Sequence, residues 1–183
     1  MAKFSMTYAV LSVVLSGLVT YTVAGALQST EKDSSSKVYI GTFDSRAVAI
    51  AYYRSKTFMH QIMEVKAEYE NAKKAGNKKR IRELEAEGPI QQELMHKQSF
   101  STWPVSNIME IIKSKIPLIA KQENIDVIVS KWSIVYQQSG VEFIDVTDSM
   151  VLLFKPDKET LSIIEEIQKQ TPVPIKELEN HKD

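Results

Sequence analysis

The sequence predicts an α+β protein: a small β-sheet body with a long protruding helical hairpin (a coiled-coil arm), preceded by an N-terminal signal peptide or membrane anchor helix. Three observations carry that expectation. An apolar seam runs through Val48, Ala51, Ser55, Phe58, Ile62, Val65, Tyr69 and Ala72 at alternating steps of three and four, the period of a helix packed lengthwise on another. Short β-rich stretches lie on either side of this excursion, at 38–43 and between 125 and 144. The chain opens on an uncharged apolar run. The expected division is a leader at 1–26, a linker at 27–37, a body at 38–45 and 104–156 with the arm at 46–103 inserted, and a C-terminal helix with a flexible tail at 157–183.

Lys3 is the only charge before Glu31, and the apolar run over 8–19 ends near Ala24-Gly25-Ala26. A positive start, a short apolar region and small residues before a cut describe a secretory signal peptide, with cleavage expected after Ala26. The uncharged run is also long enough to cross a bilayer, for which about twenty residues suffice, so an uncleaved anchor is the alternative. Either way the remainder is expected to be exported: periplasmic, or tethered to the inner membrane.

In the body, Val38-Tyr39-Ile40-Gly41-Thr42-Phe43 reads as the first strand, with Gly41 marking a bulge or close backbone approach. Asp44 or Ser45 caps the long helix. That helix closes at Ala75-Gly76-Asn77, and Lys78 onward starts a returning leg, which gives a hairpin; one long helix bent at Gly76 is the alternative. Gly88-Pro89 predicts a kink or break in the returning leg. A leg of roughly thirty residues, at about 1.5 Å per residue, would reach about 45 Å.

After the arm, 105–123 reads as a helix kinked at Pro117. The stretches 125–129 and 133–136 read as a strand hairpin around Lys131-Trp132, and 141–144 as a further short strand. Asp145-Val146-Thr147-Asp148 caps a helix that Pro156 ends. A second capped helix spans 157–170 with Leu161, Ile164 and Ile167 on one side, and 177–183 reads as disordered.

The 183 residues hold 23 basic and 23 acidic side chains, so no overall field draws the chain to nucleic acid. Charge is instead local. Lys73, Lys74, Lys78, Lys79, Arg80 and Arg82 gather at the expected hairpin tip, either as a solvated turn or as a contact for lipid head groups, lipopolysaccharide or an acidic client. The chain has no cysteine, which excludes disulfides and thiol catalysis.

Little points to an enzyme or a cofactor. Glu93-Leu94-Met95-His96 has the Glu-x-x-His spacing of di-iron bundles, but such a site needs a second copy and two further carboxylates. His60 and Glu64, one turn apart, read as a surface pair. Trp132 and Tyr136 read as core or subunit contacts rather than base-stacking residues.

The order of these elements is similar to that of the Skp/OmpH family of periplasmic chaperones. Ile40-Gly41-Thr42-Phe43-Asp44 resembles that family's first strand and helix start. Asp126-Val127-Ile128-Val129 with Ser133-Ile134-Val135-Tyr136 resembles its strand pair, and Asp145-Val146-Thr147-Asp148 its closing turn. The similarity covers about 38–154. It implies a body that trimerises, arms that cage an unfolded exported polypeptide, no cofactor and no catalysis.

Tyr52, Tyr53, Phe58, Met59, Ile62, Met63 and Met95 are the candidates for the inner face, since Met and Tyr adapt to varied partners. Phe58 and Ile62 read as buried between the two legs, which leaves Tyr52, Tyr53, Met59, Met63 and Met95 as the expected client contacts. The competing expectation is a membrane-anchored adaptor whose arm binds one defined partner.

Overall fold

The computed structural model describes residues 37–180. Its architecture is mixed helical with a small three-stranded parallel sheet, and it begins with a strand that is useless alone. Strand β1 (Ile40–Phe43) is too short to bury anything by itself, so it takes the middle of the sheet, with β2 (Val127–Ser130) on one side and β3 (Ile144–Asp145) on the other. Ile40 lies opposite Val127 and Gly41 opposite both Ile128 and Ile144. Parallel neighbours need a crossover, and helices supply it between β1 and β2: α1 (Ser45–Tyr53), α2 (Lys56–Lys74), α3 (Lys78–Phe100), α4 (Ser106–Ile112) and α5 (Ile116–Gln122). After β3 come α6 (Thr147–Leu152), α7 (Lys158–Lys169) and α8 (Ile175–Asn180).

Gly41 is glycine for a steric reason. A Cβ there would stand 2.8 Å from Ile125 Cδ1, so the side chain that covers the sheet fits only because Gly41 has none.

Helix α1 is the centre of the core. The run Ala47-Val48-Ala49-Ile50-Ala51-Tyr52-Tyr53 is apolar on all sides, and every residue of the helix is buried. It packs on α3, α6 and α7. Asp44 caps it by accepting from Arg46 N at 2.9 Å.

The long helix expected from the seam is two helices. Ser55, read as a seam position, is instead the N-cap of α2, its Oγ accepting from Phe58 N. The heptad reading drew one stripe through α1, which has no polar face to define a stripe. The hairpin itself is present: Gly76 takes φ +65° at the turn, Asn77 caps α3 through Arg80 N, and Arg80 and Tyr69 reach Glu68 and Glu85 across the two legs. The break expected at Gly88-Pro89 does not occur. Helix α3 runs through Pro89, held on both sides by the buried Leu84 and the buried Gln98 and Ser99.

Four further expectations are corrected. The helix expected over 105–123 is α4 and α5, and Pro117 sits in the first turn of α5, where its missing amide costs nothing. Residues 133–136 form no strand and no hairpin with β2: Lys131–Ser133 is a 3-10 turn, Val135 is wholly exposed and Tyr136 nearly so. Helix α6 ends at Leu152, before Pro156, and Lys155 turns the chain at φ +55°. The end of the chain, expected to be disordered from 177, is helical through Asn180 as α8.

Helix α7 forms as expected, capped by Asp157, which accepts from Thr160 N at 2.8 Å and whose carboxyl is held below its ordinary pKa mainly by that bond. Ile164 and Ile167 are buried among the core residues, each contributing on the order of 2 kcal/mol.

Candidate functional site

The two legs of the hairpin are joined by few side chains. Phe58 at the base and Ala72 with Leu84 further out are buried, while most other positions are exposed. The seam on α2 offers Ile62 and Val65 next, but on α3 the position one turn after Leu84 is Gly88. A Cβ added there would meet nothing within 4 Å, so the seam stands open at this position. That groove, of roughly 470 Å³, is lined by Ile62, Val65, Leu84, Gly88, Ile90 and Met95, among others. A smaller one of roughly 270 Å³ continues along Ile62, Val65, Tyr69 and Leu84. Ile90 is 68% exposed and Ile62 42%, so the groove opens to solvent with apolar walls.

The expected client contacts separate into three groups. Met59 and Met63 are exposed, at 57% and 63%, but lie outside these cavities. Met95 is half-buried and lines the groove. Tyr52 and Tyr53 are core residues, in a cluster with Phe58 and Phe154 at ring separations of 4.9 to 5.7 Å. Tyr52 donates to Gln61 Oε1 at 2.7 Å and Tyr53 to Gln98 Oε1. Burial pushes both phenol pKa values up. Phe58 is buried as expected, though against these tyrosines, while Ile62, expected between the legs, is open to solvent.

The basic tip is sorted. Arg80 is clamped by carboxylates, with Nε 2.7 Å from Glu68 and Nη1 3.2 Å from Glu83 and 3.3 Å from Glu87. The Arg80 hydrogen bond holds the Glu68 carboxyl below its ordinary pKa. Lys79 stands 3.9 Å from Glu83, Lys73 lies over the Tyr69 ring, and Arg82 donates to the Lys78 carbonyl. Arg80 therefore joins the two legs, and Lys73, Lys74, Lys78 and Arg82 carry the tip's outward charge.

A second cluster, missed by sequence reasoning, lies beyond the carboxyl ends of the parallel strands. Asp44 and Arg46 are both wholly buried and paired at 3.0 Å. Asp44 also accepts from Trp132 Nε1 at 3.0 Å and lies 2.8 Å from Lys131 Nζ. Burial is the largest single influence on Asp44 and pushes its pKa up, but the bonds from Arg46, Lys131 and Trp132 together outweigh it, leaving the carboxyl below its ordinary value. Arg46 Nη1 donates to the Gln170 carbonyl at 3.0 Å, and Thr147 Oγ1 accepts from Asp44 N. One carboxylate thus ties the end of β1 to the turn after β2 and, through Arg46, to the end of α7. Every donor is satisfied, which makes this a structural clasp.

Glu93 pairs with Lys97 at 2.7 Å, and His96 packs edge-on against Phe100. His60 and Glu64 form an exposed pair at 3.4 Å. Among the described residues no group of three or more His, Asp or Glu side chains is placed to hold a metal ion, and no helix is long and apolar enough to cross a membrane. The leader or anchor expected at 1–26 lies outside the described residues.

No family model, curated protein or solved structure matches this chain.

Proposed function

We propose that this chain is a holdase of the Skp/OmpH kind, which binds unfolded exported polypeptides in the periplasm and catalyses nothing. The observation that carries the reading is the solvent-open apolar groove between the hairpin legs, which runs past Gly88. A solvent-exposed apolar surface of this kind on an otherwise charged element marks a site for another molecule. Walls of Ile, Val and Met suit a partner held by many weak contacts without one fixed geometry. In this reading the hairpin is an arm reaching from a body that assembles as a trimer, and the exposed Met59 and Met63 extend the holding surface. Lys73, Lys74, Lys78 and Arg82 at the tip offer charge to an anionic lipid surface or an acidic client.

The test replaces both exposed isoleucines, Ile62→Ser with Ile90→Ser. At about 2.5 kcal/mol for a fully buried isoleucine, the exposed fractions set a ceiling of roughly 2.8 kcal/mol for the pair. Ordering costs on binding reduce this, so the expected loss is about tenfold in affinity for unfolded clients, with folding unchanged. Undiminished suppression of client aggregation by the double variant would overturn the assignment of the groove. A chain that binds one partner saturably and ignores unrelated unfolded proteins would replace the holdase with an anchored adaptor.

A further inference from the structure

We infer that the body binds a small carboxylate, held by Lys131 and Thr42 in the pocket beside the 134–143 loop; the inference is independent of the holdase reading. The pocket, of roughly 310 Å³, is lined by Thr42 of β1, Lys131 just after β2, and Ile134, Tyr136, Gln137 and Phe143 of the loop, among others. Two separate observations point to an anion there. The first is charge. In the clasp two cations meet one carboxylate: Arg46 and Lys131 pair with Asp44 at 3.0 and 2.8 Å, and among the described residues neither reaches a second carboxylate. Asp145, opposite Thr42 in the sheet, accepts from Thr147 N at 2.8 Å instead of pairing with Lys131. Asp44 and Arg46 are sealed from solvent, but the Lys131 side chain is 29% exposed and lines the pocket. Each donor group of the clasp has its bond, yet an ammonium carries three N–H groups and only one is needed for Asp44. The surplus positive charge is therefore offered to the pocket.

The second observation is a hydroxyl. Thr42 is only 7% exposed, and its carbonyl accepts from Val146 N. Among the described residues nothing hydrogen-bonds its Oγ1, and no side-chain polar atom sealed from solvent lacks a partner, so Oγ1 opens into the pocket that Thr42 lines. A nearly buried hydroxyl without a protein partner costs free energy unless a ligand or a water answers it. The chemistry then selects the class of ligand. A surplus of one charge matches a monoanion, and an ammonium with a hydroxyl offers one donor to each carboxylate oxygen. A phosphate dianion asks for more donors, and no arginine or glycine is among the described residues that line the pocket. Ile134 and Phe143, both half-buried, supply apolar wall for a short stem behind the carboxylate. Such a group is either a free acid or the carboxyl terminus of a peptide.

Titration of the full chain, followed by calorimetry and by the indole N–H resonance of Trp132, tests this with matched pairs of probes: hexanoate against hexanamide, and N-acetyl-alanyl-phenylalanine with a free carboxyl end against its amide. Inorganic phosphate is the competing anion. At least one carboxylate is expected to bind, its amide about tenfold or more weaker, and the Trp132 signal to shift, because that indole donates to the Asp44 carboxylate that Lys131 shares. Hexanoate binding alone identifies a free acid, the peptide alone a chain terminus, and both together a site that reads only the shared group. Thr42→Val keeps the β-branched shape and removes the hydroxyl. It is expected to lower carboxylate affinity about tenfold, in line with the loss of one hydrogen bond to a charged group. Its unfolding temperature should hold or rise, since the hydroxyl has no protein partner to lose. Acid and amide binding alike, phosphate binding as tightly as hexanoate, a folded Thr42→Val with unchanged affinity, or no binding by any probe would each overturn the site. The acid and amide comparison uses the unaltered chain, so it decides the matter even where the variant fails to fold.

Discussion

Replacing Asp44 by Asn removes one charge and almost no volume, and the structure says what should follow. The amide oxygen can still accept from Arg46 N and keep the cap of α1, so what is lost is the charge and the second acceptor oxygen, which faces Arg46 Nη2 and Lys131 Nζ. Arg46, wholly buried, then has no counter-ion and keeps the Gln170 carbonyl and the face of the Trp132 ring. Breaking a buried pair by removing one member costs about 3–5 kcal/mol. With a urea slope of about 2 kcal/mol/M, the unfolding midpoint falls by roughly 2 M.

Adding Arg46→Met removes the stranded charge and should recover at least about 1 kcal/mol, although the Gln170 carbonyl loses its donor. Acid unfolding gives the sign independently. The Asp44 pKa is depressed in the folded state, so its stabilisation is full above the unfolded-state value and is lost as pH falls through the folded one. The wild type should therefore lose stability below about pH 4, and Asp44→Asn should flatten that slope. A cost below about 1 kcal/mol for Asp44→Asn, or a double variant less stable than the single one, would refute the clasp.

Gly88→Leu should fill the hairpin groove, since nothing stands within 4 Å of its added Cβ; client affinity falls while thermal stability rises, and unchanged affinity would clear the groove of a holding role. Pro89→Ala should stabilise the chain by about 1–3 kcal/mol in urea titration, because α3 already runs through that position. Val135→Asp, at a wholly exposed position, should leave the monomer's stability within about 0.5 kcal/mol, and native mass shows whether it blocks assembly. Lys74→Glu with Lys78→Glu should weaken binding to anionic vesicles in a salt-dependent way without loosening the hairpin. Arg80→Glu, which adds a fourth carboxylate to Glu68, Glu83 and Glu87, should loosen it, as amide exchange would show.

What the sequence revealed was local. Gly76 at the turn, Asp157 as a cap and the Ile164–Ile167 stripe are signals a few residues long, and each appears as read; of the two caps open at the start of α1, Asp44 and Ser45, the structure uses Asp44. What it hid depends on partners far along the chain. Ser133-Ile134-Val135-Tyr136 has strand composition, but Lys131 and Trp132 are drawn to Asp44, eighty-eight residues away in the case of Trp132, and the chain leaves the sheet there. Nothing in the spacing of Asp44 and Lys131 announces that contact. The groove was half legible: Ile62 and Val65 stood on the seam, and Gly88 was noted only as a break signal, not as the missing half of a packed pair. The break at Arg54-Ser55 was marked by Ser55, a good capping residue, and by the unbroken apolar run before it.

The sheet joins Ile40 to Val127 and Gly41 to Ile144, whereas the hairpin folds back within about forty-five residues of a single stretch. On a chain that emerges amino end first, the two legs can therefore zip together early, but the middle strand has no neighbour until about seven tenths of the sequence is available, and its second only at almost four fifths. A product cut short between Phe100 and Val127 is left with a finished hairpin and an orphaned root, bare apolar surface included.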